Sequence, residues 1–151
     1  MSSESESSYG QAIELEPDEV NYLFAIANLY ILQKNYSNAE EFVQKTISLN
    51  IKDPDGYYKL AVIYFEEGDY LNAFEQITVS INKEINNTEG FFISGFDNIS
   101  RVELEDLYFL RSEIAFKLMG KNDKSCDDLN KALELDIQSE LIKEKINEIC
   151  N

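Results

Sequence analysis

A chain of 151 residues with 44% hydrophobic content is long enough for one domain with a core and short for two. Its 29 acidic against 13 basic side chains leave a formal charge of -16, which repels phosphate backbones and anionic lipid heads and argues against nucleic acid and membrane partners. Histidine is absent, so the Ser/His/Asp, Cys/His and HExxH arrangements of common hydrolases and metalloenzymes cannot be built.

The opening carries Glu4, Glu6, Glu14, Glu16, Asp18 and Glu19 without a Lys or Arg, unlike a signal or transit peptide. No later stretch approaches the roughly 20 apolar residues of a membrane span. As written the chain reads as soluble and cytoplasmic, an expectation that lapses if it is a fragment of a longer protein.

Residues 3–16 read as a leading helix or half repeat, because Tyr9, Ala12, Ile13 and Pro17 lie 34 positions before Val43, Thr46, Ile47 and Ile51. In a first unit, 20–53, the residues Leu23, Ile26, Ala27 and Tyr30 mark one face of a helix over about 18–33. The polar break QKNYSN ends it, and a second helix over 36–50 carries Ala39, Val43 and Ile47.

A shift of 34 then lands Ala27 on Ala61, Tyr30 on Tyr64, Tyr36 on Tyr70 and Ala39 on Ala73. This second unit, 54–83, opens on Asp53 as N-cap with Pro54 in the first turn, and predicts helices over 54–67 and 70–84. Gly68 is placed to adopt the left-handed conformation between them. The run DPDG at 53–56 lacks the later ligands and closing Glu of a calcium loop and fits a cap instead.

Residues 84–100 form an insertion whose Phe91, Phe92 and Phe96 should tuck against the array or else form a second partner surface. Ser100 and Glu103 have capping-box spacing, which predicts that a third unit, 101–137, starts there with helices over 102–119 and 122–135. A shift of 52 pairs Tyr57 with Phe109, Tyr64 with Phe116 and Gly68 with Gly120, but puts Ser112 and Glu113 where apolar and small residues belong. A slipped or partly exposed first helix is expected. Residues 138–151 read as a capping helix with Leu141, Ile142, Ile146 and Ile149 on one stripe. Cys126 and Cys150 lie far apart without CxxC spacing, so neither a disulfide framework nor a zinc site is expected.

The pattern resembles the tetratricopeptide repeat. Its eight signature positions are filled by Leu23, Ile26, Ala27, Tyr30, Ala39, Val43, Thr46 and Ile51, and again by Tyr57, Leu60, Ala61, Tyr64, Ala73, Ile77, Ser80 and Ile85. Thr46 and Ser80 stand at a usual alanine, and isoleucine stands where proline commonly ends the unit. The resemblance implies an all-α fold of antiparallel helical hairpins stacked as a right-handed superhelix, an α-solenoid, closed by a C-terminal capping helix.

It also implies a non-enzymatic adaptor, without cofactor or metal, that binds a peptide or protein segment in its concave groove. A small acidic chaperone of one client is the alternative. In such an array the first helix of each hairpin lines the groove. That places Asn21, Phe24, Ala25, Asn28 and Ile31 there from the first unit, Tyr58, Lys59, Val62 and Phe65 from the second, and Leu107, Leu110, Arg111, Ile114 and Lys117 from the third. Lys59, Arg111 and Lys117 converging in so acidic a chain predict a carboxylate-bearing partner with bulky apolar side chains. A homo-oligomer is compatible with all of this. Some family members grip a chaperone's C-terminal carboxylates; Asn28 and Arg111 match their pattern, while Phe24, Lys59 and Leu107 depart from it.

Overall fold

The computed structural model describes residues 18–86 and 103–151, and among them are seven helices and no strand. They are α1 (Asp18–Leu32), α2 (Tyr36–Leu49), α3 (Pro54–Glu67), α4 (Tyr70–Ile85), α5 (Leu104–Met119), α6 (Asp123–Leu135) and α7 (Glu140–Ile149). The expected helix at 3–16, Ser100 and the phenylalanines of the insertion lie outside the described residues.

Short polar side chains set most of the starts. Asn35, Asp53, Asp69, Asn122 and Ser139 each accept a hydrogen bond from an amide in the turn they open, satisfying a donor that has no partner inside the helix. Asp53 does so at 2.9 Å from the Asp55 amide, with Pro54 following it as expected. The start of α5 differs from expectation: Glu103 is itself the cap, and its amide donates to the Asp106 carboxylate at 3.4 Å. Gly68 ends α3 at φ +81°, and Lys34, 34 residues earlier, is held at φ 60°, where a side chain is strained.

Packing follows chain order. α1 pairs with α2, α3 with α4 and α5 with α6, while α2 meets α3, α4 meets α5 and α6 meets α7. Ala27, Ala39, Ala61 and Ala73 are fully buried where helices approach, with Leu23, Val43, Ile63 and Ile77 filling the space around them. Gly56 has the same purpose in extreme form. A Cβ built there would stand 2.7 Å from Ile47 Cγ1, so α3 lies on α2 closer than any side chain allows.

Hydroxyls replace alanine at several buried places, and each is satisfied, as burial of a polar group requires. Thr46 donates to the Val43 carbonyl at 2.7 Å, Ser80 to the Pro54 carbonyl at 2.8 Å, and Ser125 to the Ser112 carbonyl at 2.8 Å. The last bond settles the register of the third hairpin. Ser112 and Ser125, both fully buried, meet where Ala61 and Ala73 meet in the second. Ser112, not Glu113, therefore holds the small position, and α5 is slipped by one residue from the expected alignment.

At the C-terminal end, Ile142 and Ile149 of α7 are buried and Ile146 packs beside them, but Leu141 is 57% exposed and leaves the expected stripe. Cys126 and Cys150 are paired in a disulfide with Cα atoms 5.7 Å apart, contrary to expectation. Their spacing in sequence held no sign of this, because the antiparallel turn from α6 to α7 is what brings them together.

Candidate binding groove

The first helices α1, α3 and α5 each turn one face to the core and leave another available. Phe24 on α1, Tyr58, Val62 and Phe65 on α3, and Leu110 on α5 are half-buried; Tyr58, Phe65 and Leu110 pack against the core with part of their surface left exposed. Asn21 is half-buried as well, and Asn28 is exposed. The Lys59 ammonium lies 5.8 Å from the centre of the Tyr58 ring, and Phe65 meets Tyr70 edge-on with ring centres 5.6 Å apart.

The electrostatics of this face run opposite to expectation. Burial pushes the Tyr58 hydroxyl above its ordinary range, and the carboxylates of Asp106, Asp55 and Glu113 push it further. Burial lowers the Lys59 pKa, with Asp55 opposing. Burial likewise raises the Glu113 carboxyl, while Lys145 and Lys117 pull it down. Lys59 of α3, Lys117 of α5 and Lys145 of α7 thus act among the carboxylates of Asp55, Asp106 and Glu113.

Arg111 is the main correction. The one-residue slip turns it away from the first-helix face, leaving it 7% exposed and bound to Asp128 of α6. Its Nε donates at 2.8 Å and its Nη2 at 2.9 Å to the two carboxylate oxygens, and Nη1 reaches Thr78 of α4 at 3.3 Å. A guanidinium held this way is spent inside the fold. Ile114 and Leu107 are likewise fully buried core residues and do not line a groove. Lys117 is exposed. Of the residues matching the chaperone-tail pattern, only Asn28 remains accessible. Sequence reasoning also passed over Glu113 and Asp106, which the slip brings towards Tyr58.

Among the described residues no group of three or more His, Cys, Asp or Glu side chains could hold a metal ion, and no helix is long and apolar enough to cross a membrane. Residues 20–51, the first hairpin, match the tetratricopeptide repeat, or TPR. That stretch of the chain is a tetratricopeptide repeat. No curated protein matches the chain. Solved TPR structures do. The first TPR of Spaghetti (RPAP3) bound to an HSP90 peptide is 16% identical, covering 89% of this chain and 93% of that one, with a TM-score of 0.70. The N-terminal domain of stress-induced protein-1 (STI-1) from C. elegans is 14% identical, with 89% and 97% covered and a TM-score of 0.69. The Yersinia enterocolitica type III secretion chaperone SycD, in complex with a peptide of the translocator YopD, is 16% identical, with 91% of each chain covered and a TM-score of 0.67. The likeness of this chain to all three is one of fold.

Proposed function

We propose that this protein is a non-enzymatic adaptor that holds a segment of another protein against its first-helix face. The observation that carries the reading is the run of half-buried apolar and aromatic side chains, Phe24, Tyr58, Val62, Phe65 and Leu110, presented by successive first helices. Spaghetti and SycD, which share the fold, were solved with peptides of HSP90 and of YopD. With Arg111 spent on Asp128, Lys59, whose ammonium lies over the Tyr58 ring, is a cation beside the aromatic strip. The partner segment is therefore chosen first by bulky apolar side chains, with a carboxylate accommodated at Lys59.

A peptide library displayed on phage and panned against the full chain tests this. Enriched peptides should carry paired bulky apolar residues, and Phe24→Ala with Tyr58→Ala should weaken their binding tenfold or more. Lys59→Ala should weaken only those peptides that bear a carboxylate. Enriched binders indifferent to Phe24 and Tyr58 would move the site off this face.

A further inference from the structure

α7 sits where the interior of the array places the first helix of a following hairpin. Two residues seven apart mark that position: Gly56 and Ile63 of α3 against α2, Leu107 and Ile114 of α5 against α4, and Ile142 and Ile149 of α7 against α6. All six are buried. α7 is nonetheless held differently from its counterparts. It has ten residues, fewer than the roughly 12–15 an isolated helix needs to persist. Its ion pairs, Lys143 with Glu140 and Lys145 with Glu148, are internal to it. Among the described residues, what joins it to the array is the isoleucine stripe, the attraction of Lys145 for Glu113 of α5, a bond from Lys121 Nζ to the Asn151 carbonyl at 3.1 Å, and the Cys126–Cys150 disulfide across the open end of the α6–α7 pair. Both cysteines are half-buried and so within reach of a small thiol.

We propose that α7 is a redox-latched occupant of a helix-docking slot on α6, and that reducing Cys126–Cys150 lets the slot exchange α7 for an amphipathic helix of a partner protein. The reductant is a dithiol. One of its thiolates attacks a protein sulfur and displaces the other as a thiolate, which takes up a proton; its second thiol then resolves the mixed disulfide. One S–S bond breaks in the protein and one forms in the reductant, and the protein gains two S–H groups. Removing a cross-link with a sequence separation of 24 returns the chain entropy it withheld, raising the undocked population of α7 on the order of a hundredfold.

The partner's chemistry is read from the present occupant. It carries an aliphatic pair seven residues apart and a basic residue between them, since Lys145 acts on Glu113 at the rim of the slot. A fluorescent peptide of residues 138–151 carrying Cys150→Ser is the probe, titrated by anisotropy into the full chain before and after treatment with dithiothreitol. Reduction should tighten binding at least fivefold. Cys126→Ser with Cys150→Ser in the protein should bind as the reduced parent does, without reductant. Ile142→Asp with Ile149→Asp in the peptide should abolish binding. A smaller difference between the oxidised and reduced parent, or no binding to either, overturns the proposal, and the parent decides this even if the serine variant fails to fold. Binding lost on Tyr58→Ala in the protein would place the peptide on the first-helix face and overturns it too.

Discussion

Arg111→Ala should cost this protein about 3 kcal/mol of stability. The side chain makes two charge-assisted hydrogen bonds to Asp128, and removing it leaves a carboxylate with no solvent exposure. Breaking one side of a buried pair typically costs about 3–5 kcal/mol. Lys124 Nζ, 3.6 Å from Asp128 Oδ1 and itself partly exposed, offsets part of that and sets the expectation at the lower end. The measurement is urea unfolding at neutral pH followed by helical circular dichroism, on Arg111→Ala, Asp128→Ala and the double variant. The double variant should lose at least ~2 kcal/mol less than the sum of the singles, because its second change removes a group already orphaned. Arg111→Met with Asp128→Leu should return close to the parent, since an apolar pair of similar volume avoids desolvating two charges. A loss below ~1 kcal/mol for Arg111→Ala, or additive singles, would refute the buried placement and return Arg111 to the first-helix face as a ligand cation.

Gly56→Val should destabilise by ~2 kcal/mol or more through overpacking against Ile47, and Ile47→Ala should relieve part of the cost in the same chain; additivity in thermal melts would contradict the close approach. Lys34→Gly should stabilise by ~1 kcal/mol, because glycine adopts the left-handed conformation without penalty, and a lowered melting temperature would speak against that backbone. The Tyr64 hydroxyl, donating to Glu40 Oε1 at 2.9 Å, is pushed up to about 12 by burial first and by this bond second. Its contribution to stability is present below pH 10 and lost as pH rises through about 12. The ultraviolet titration of the parent minus Tyr64→Phe should show a step near that value which moves down in Glu40→Gln, and a step at the ordinary 10 would exclude the bond.

The helices of the first two hairpins were legible to within a residue or two, because a repeated period sums many weak preferences and Asp53, Pro54 and Gly68 punctuate it. The third hairpin was legible in its bounds but not in its rotation. Gly120 matches Gly68, and anchoring the alignment there hides an extra residue in the turn: Ala73 follows Ala61 by twelve positions and Ser125 follows Ser112 by thirteen. One residue is 100° around a helix, enough to carry Arg111 from an outer face to the interior. The usable signal was the pair of small residues, Ser112 and Ser125, together with an Asp on α6 able to partner the arginine. On α3, where the register held, Tyr58, Val62 and Phe65 stay half-buried, whereas on α5, where it did not, Arg111 is carried into the interior. Cys126 and Cys150 carried no local signal, since only the turn between α6 and α7 makes them neighbours.

The near-contact of Gly56 with Ile47 also fixes the order in which the hairpins can be assembled. At the same stacking position the next junction carries Leu107 and the last carries Ile142, so the spacer between neighbours changes from a hydrogen atom to a branched aliphatic group along the chain. A gene in which the hairpins were transposed would bring Leu107 onto Ile47, a clash, and set Gly56 opposite α4, a void. The units share one architecture, yet each interface is cut to its own thickness, and the polypeptide is a sequence of keyed parts that cannot be shuffled.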